Sequence, residues 1–271
     1  MRSACKSDRG VVRENNEDFV LADETNGIFL LADGMGGGPA GEVASELAVT
    51  TAHLLLMRYL PDVAPGFPLP TPPPPGEGAP TKTGGIGRIL AEALAAAHSA
   101  VAKRALGDPA LEGMGTTLEM VVVRGAEAIL CHVGDSRVYL FRQGALRQVT
   151  TDDNYAALLA QSRMVPAGGI PSRFRHILTQ AVGVSDELIP EIRTVELKPG
   201  DLLLICSDGV TEALRDQEIE ALMGQNRTDL DAVANSLVRA AIDNGGPDNV
   251  SVIVVEPIAA ISGGSLPELT G

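Results

Sequence analysis

The chain reads as an α+β sandwich, and three features of its sequence predict that. Apolar, β-branched runs come in groups, at about residues 19–33, 117–144 and 189–206. Helical patterns are grouped as well, chiefly at about 39–106 and 216–243, instead of alternating one for one with strands as a parallel α/β sheet requires. Hydrophobic residues make up 45% of the 271, enough for a substantial core.

The first strand group is FVLADETNGIFLLAD at residues 19–33. Two apolar runs flank Glu24 to Gly27, and Asn26-Gly27 is a strong hairpin signal. From Pro39 to about Leu60 apolar residues recur at helical spacing, with Pro39 suited to a first turn. Residues 61–85 hold nine of the 18 prolines, including Pro72 to Pro75, which rules out helix and ladder alike. That segment is expected to be a flexible surface insertion acting as a spacer. A second helix, rich in alanine and leucine, is expected from about Ile86 to Leu106.

TLEMVVVRG, EAILCHVGD and SRVYLFRQG are then separated by Gly-containing turns, the pattern of an antiparallel meander. Residues 152–163 read as helix, and 164–176, with Pro166, Gly168, Gly169 and Pro171, as an irregular mobile loop. Strands follow at about 189–197 and 202–206, helices at about 216–223 and 229–243, and a last strand in NVSVIVVE. A single domain over 1–257 accommodates all of these, leaving 258–271 as a frayed tail.

Charge narrows the function classes. Lys+Arg 21 against Asp+Glu 35 gives a net charge of −14 and leaves no basic stripe, which excludes nucleic acid as a partner. An acidic protein that acts on anionic phosphate must overcome its own field locally, and bound divalent cations do that most directly. Cys5, Cys131 and Cys206 are odd in number and widely spaced, and read as buried reduced thiols without zinc-ligand spacing. No stretch approaches the roughly 20 apolar residues of a membrane span, and MRSACKSDRG lacks the apolar run of a signal peptide. A cytoplasmic protein with no membrane partner is the expectation.

The residues with chemistry to offer are acidic clusters at predicted strand ends and turns: Glu17-Asp18, Asp33-Gly34, Gly134-Asp135-Ser136-Arg137, Ser207-Asp208-Gly209 and Asp248-Asn249. Strand ends hold side chains rigidly, and an adjacent glycine lets backbone oxygens and water approach. Carboxylates there suit hard cations that take oxygen ligands. Singly, each Asp-Gly pair reads first as a turn. Their joint occurrence carries the argument.

In order along the chain stand Arg13-Glu-Asn-Asn-Glu-Asp18, Leu31-Ala-Asp-Gly-Met-Gly-Gly37, Gly113-Met-Gly-Thr-Thr117, Gly134-Asp-Ser-Arg137, Cys206-Ser-Asp-Gly-Val210 and Gly246-Pro-Asp-Asn-Val250. With these motifs the chain resembles the metal-dependent protein phosphatases of type 2C in their compact bacterial form. The resemblance implies a four-layer α/β/β/α sandwich with two central antiparallel sheets and two Mn²⁺ or Mg²⁺ ions at one end. It implies further that Asp33 bridges both ions, Gly34 offers its carbonyl, Asp208 and Asp248 complete the first ion, and Glu17 holds the second, partly through water. Asp18 would orient water, Asp135 with Asp208 would match a third, weaker metal site, and Arg13 would grip the substrate phosphate. The implied reaction is hydrolysis of phosphoserine and phosphothreonine on proteins by a metal-bridging hydroxide, and a partner serine/threonine kinase belongs among the implied substrates.

The physics of such a site is independent of the family. Paired cations lower the pKa of a shared water, and an arginine fork neutralises phosphoryl oxygens through two parallel hydrogen bonds. Many eukaryotic members carry histidine where Met35 stands, and Asp152-Asp153-Asn154 and the stretch around His176 also depart from the commoner family wording.

Two other readings compete. Gly36 to Gly41 satisfies G-x-G-x-x-G after a strand, but Asp33 would set negative charge beside a pyrophosphate and no parallel strand with a ribose-binding acid follows on schedule. A catalytically silent module of the same fold would be expected to have lost metal-ligand aspartates, and here the central ones remain. His53, His98, His132 and His176 show no metal spacing and receive no role from the sequence.

Overall fold

Period-two alternation divides the central strands between separate cores. In IFLLA, Ile28, Leu30 and Ala32 face one hydrophobic cluster, whereas Phe29 and Leu31 face another. In the last strand Val250, Val252 and Val254 face a third, with Ile253 and Val255 turned toward the second. Three stacked cores require four layers.

The computed structural model describes residues 1–36, 40–60, 84–162 and 170–257. The strands are β1 (Arg2–Asp8), β2 (Asp18–Asp23), β3 (Ile28–Met35), β4 (Gly115–Thr116), β5 (Leu118–Arg124), β6 (Glu127–Val133), β7 (Arg137–Arg142), β8 (Ala145–Gln148), β9 (Glu191–Glu196), β10 (Leu202–Cys206) and β11 (Val250–Glu256). The helices are α1 (Ala40–Tyr59), α2 (Gly84–Leu106), α3 (Tyr155–Ser162), α4 (Asp208–Ala213), α5 (Asp216–Gly224) and α6 (Leu230–Asp243). One sheet runs β1-β11-β10-β7-β8, the other β2-β3-β5-β6-β9 with β4 on β3. All named strand pairs are antiparallel.

Helices cover both outer faces, as expected. On α1 a stripe of Ala44, Ala48, Ala52 and Leu56 at four-residue spacing is fully buried, and with residues of α2 it packs on β3 and β5. On the other side, Val233, Leu237, Val238 and Ala241 of α6 pack over β10 and β11. Asp229 caps α6 by accepting the Ala232 N–H at 3.0 Å. The Pro-rich insertion at 61–85 lies outside the described residues except at its end, where Gly84 already begins α2; the tail at 258–271, residues 37–39 and the first part of the loop expected at 164–176 also lie outside, while the end of that loop, Ser172–His176, is a short 3-10 helix and not irregular.

The expected three-stranded meander is corrected. β5 and β6 pair, but β7 leaves them and pairs with β10 and β8 in the other sheet. Gly134 makes the crossing, at φ +116, where an added Cβ would stand 2.5 Å from Thr117 Cγ2. A glycine turn announces a change of direction but not which sheet receives the next strand. Cys131 and Cys206 are buried as expected, and burial pushes the Cys206 thiol up to about 12. Cys5 is exposed, because on the edge strand β1 only Ala4 is buried. Among the described residues no helix is long and apolar enough to cross a membrane.

Candidate active site

The two sheets bring together, at one end of the sandwich, the ends of β3, β6 and β10 and the starts of β2, β7 and β11. A cleft of about 450 Å³ opens there, and Arg13, Glu17, Asp33, Gly34, Asp135, Asp208 and Asp248 all line it. Asp18, opposite Asp33 in the β2–β3 register, is buried behind the wall, where its Oδ2 accepts the Ser207 hydroxyl at 2.8 Å.

Local backbone bonding fixes the acids. The Asp33 N–H donates to Thr117 Oγ1 at 2.9 Å, and its carbonyl accepts Thr116 Oγ1 at 2.8 Å and the Thr117 N–H at 2.9 Å. Next to it, a Cβ on Gly34 would lie 2.0 Å from the Gly41 carbonyl oxygen, so only glycine lets β3 run this close to α1. The Glu17 carbonyl accepts both the Gly34 N–H at 3.1 Å and Ser45 Oγ at 2.6 Å. Asn249 clamps the loop that carries Arg13 and Glu17. Its Nδ2 donates to the carbonyls of Arg9 and Asn15, each at 2.8 Å, and its Oδ1 accepts the Glu17 N–H at 2.8 Å.

Electrostatically the cleft is short of positive charge. Burial, with the neighbouring Asp135, Glu212 and Asp248 carboxylates, pushes Asp208 well above the usual range. Burial and the surrounding aspartates do the same to Asp33. Burial lifts Asp18 to about 6 and, with Asp152, lifts Asp135 to about 7. Asp208 Oδ1 and Asp18 Oδ1 are enclosed and find no hydrogen-bond partner among the described residues. Arg13 answers part of the charge, with Nη2 2.5 Å from Asp248 Oδ2.

An all-oxygen donor set with orphaned buried oxygens and mutually repelling carboxylates fits hard divalent cations. Asp208, Glu212 and Asp248 offer oxygens that lie within 4.8 Å of one another. Asp33 lines the same cleft but is not one of that close trio. Glu212 was not anticipated, although its i, i+4 spacing from Asp208 in DGVTE puts both on one side of α4. His176 also reaches the cleft, with Nδ1 2.7 Å from Glu212 Oε1. No sequence pattern joins positions 176 and 212, since the fold alone makes them neighbours.

Residues 10–241 match the family described as protein phosphatase 2C. The chain belongs to the protein phosphatase 2C family. Among its relatives, serine/threonine protein phosphatase PstP of Mycobacterium tuberculosis is 36% identical over 273 residues, covering 100% of this chain and 48% of that protein. Protein phosphatase PhpP of Streptococcus pneumoniae is 32% identical over 262 residues, covering 94% of this chain and 97% of that protein. The chain thus spans about half the length of PstP and nearly all of PhpP. The solved catalytic domain of PstP, in complex with two manganese ions, superposes with a TM-score of 0.75 at 36% identity, covering 93% of this chain and 96% of that one. A serine/threonine phosphatase from S. agalactiae superposes at 0.78 with 28% identity, covering 93% and 98%. The two-sheet, helix-flanked sandwich is the family's fold.

Proposed function

We propose that this protein is a Mn²⁺- or Mg²⁺-dependent serine/threonine phosphatase that hydrolyses phosphoserine and phosphothreonine monoesters on other proteins in one displacement by activated water. The observation that carries this reading is the cleft itself, where carboxylates converge with buried oxygens that lack partners among the described residues. Asp33, the Gly34 carbonyl, Asp208 and Asp248 would hold one cation, Asp33 and Glu17 a second, and Asp135 with Asp208 a weaker third. When bound, such cations supply Lewis-acid activation of water and neutralise charge on the phosphoryl group.

The protein's own residues do the rest. Arg13, which lies on Asp248 at the cleft, would present its planar fork to two phosphoryl oxygens of the substrate. Asp18, braced by Ser207, orients water from behind. Met35, which lines the cleft, has no transferable proton, so the leaving seryl or threonyl oxygen draws its proton from elsewhere. Phosphorylated proteins, a serine/threonine kinase among them, are the substrates of this reading.

The test is hydrolysis of a phosphothreonine peptide with Mn²⁺, Mg²⁺, Ca²⁺ or excess chelator in parallel. Turnover in Mn²⁺ that chelator abolishes is the expected result. Full activity in chelator overturns the metal chemistry, and peptide binding without turnover in any metal leaves a silent module. In the same assay Arg13→Ala is expected to raise KM by about tenfold or more, since a charged hydrogen bond to phosphate contributes about 1.5–3 kcal/mol. Asp135→Ala should raise it much less, and equal KM effects would count against the role given to Arg13.

A further inference from the structure

Beneath the Gly134–Asp135 crossover lies a charged cluster that the proposed chemistry leaves unused. Glu119 on β5 and His132 on β6 stand opposite each other in the ladder, both 0% exposed, with His132 Nδ1 on Glu119 Oε1. The other ring nitrogen, Nε2, lies 2.9 Å from the Thr151 carbonyl oxygen and 3.8 Å from Asp153 Oδ2. A buried ion pair of this kind is a weak source of stability, because desolvation consumes most of its Coulomb attraction.

Asp153 rests on this pair and joins three segments. Its Oδ2 accepts the Gly134 N–H at 3.0 Å and Gln180 Nε2 at 2.7 Å. Its own N–H donates to the Gly134 carbonyl at 2.6 Å, and its carbonyl accepts the Thr179 N–H at 2.7 Å. The backbone on either side of the Gly134 α-carbon is therefore gripped by one residue, immediately before Asp135. Among the described residues no side chain donates a hydrogen bond to the Asp135 carboxylate, and the one it accepts comes from its own backbone N–H, so its aim into the cleft is set by that backbone. Asp153 itself does not line the cleft. It is one of the positions at which the sequence departs from the commoner family wording.

We propose that Asp153 is a positioning residue, which fixes the Gly134–Asp135 crossover and thereby aims the Asp135 carboxylate into the cleft. The proposal rests on the phosphatase reading above, and its consequence is coupling. Removing Asp153 releases Asp135, so a second change at Asp135 has nothing further to remove. A residue that merely stabilised the fold would act independently of Asp135, and the two losses would multiply.

The experiment compares Asp135→Ala, Asp153→Ala and the double variant at saturating Mn²⁺, with Asp153→Asn as the conservative control. Each single alanine variant is expected to lower kcat about tenfold with KM little changed, and the double variant to fall no further. Asp153→Asn is expected to stay within about twofold of the parent, because one amide oxygen can accept both N–H groups. A double variant down roughly a hundredfold, or an asparagine variant as impaired as the alanine one, overturns the proposal. An arm independent of activity follows Gly134 amide exchange by NMR in chelator, where Asp153→Ala should speed exchange at least about tenfold and Asp153→Asn should not. Unchanged exchange in the alanine variant likewise overturns it. If Asp153→Ala does not fold, Asp153→Ser takes its place with the same expectations. A parent chain without Mn²⁺-dependent activity would sink the phosphatase reading, while the exchange measurement would still decide whether Asp153 holds the crossover.

Discussion

Asp208→Asn is expected to lower phosphatase activity by about a thousandfold or more and at the same time to raise the melting temperature of the metal-free protein. The two effects share one cause. Asp208 begins α4 at the floor of the cleft, its Oδ1 is enclosed with no partner among the described residues, and burial together with Asp135, Glu212 and Asp248 holds its pKa well above the usual range. An acid whose pKa is higher in the folded than in the unfolded chain binds its proton more tightly when folded. Stability is therefore gained as pH falls toward the unfolded value of 3.8 and lost as pH rises through the folded one. Asp18, lifted to about 6, and Asp135, lifted to about 7, add to the same trend.

The metal-free chain should thus melt higher at pH 5 than at pH 8, and Asp208→Asn should flatten the difference by removing one charge that cannot be neutralised. Divalent cations should reverse the order, since on the proposed metal chemistry they would bind the ionised carboxylates of the folded state only. The chain has no tryptophan, so circular dichroism is the suitable probe. A chelated Asp208→Asn protein that melts below its parent at pH 8, or one that keeps its activity in Mn²⁺, would remove Asp208 from the site.

The aspartates of this site were legible because their signals are local. Asp33-Gly34 and Ser207-Asp208-Gly209 each carry their own glycine, and the structure shows why: a Cβ on Gly209 would lie 2.0 Å from the Asn249 carbonyl oxygen, just as one on Gly34 would strike Gly41. The Asn26-Gly27 hairpin was legible for the same reason, with Gly27 at φ +56 and Asn26 held by Asp23. What was not legible depends on partners distant in sequence. β7 follows β6 directly yet pairs with β10, some sixty residues on, and no short-range pattern encodes that choice. β1 escaped notice because its apolar alternation is poor: as an edge strand it buries only Ala4. Asn249, read only as part of an acidic pair, proves to bind three backbone groups of a loop more than 230 positions away.

The buried Glu119–His132 pair yields the largest expected change in stability. His132→Leu should destabilise the protein by about 3–5 kcal/mol, the usual result of stripping one partner from a buried ion pair. Glu119 would then face an apolar neighbour with no exposure at all, and its Oε2 already lacks a hydrogen-bond partner among the described residues. In the intact protein burial raises Glu119 to about 7 against the pull of His132. Burial alone would lower His132, but Glu119, Asp153 and Glu191 outweigh it and raise the imidazole to about 9. A histidine raised in the folded state contributes stability that is complete below its unfolded value of 6.5 and is lost as pH rises through about 9. Without it, Glu119 stays protonated when folded and ionises when unfolded, so the variant, like its parent, should be less stable at pH 8 than at pH 6. Replacing both residues by leucine removes the stranded acid as well, and should recover most of the loss. Urea denaturation of the two single variants and the double variant measures the coupling directly. Losses that simply add would mean that the two side chains do not act as a pair.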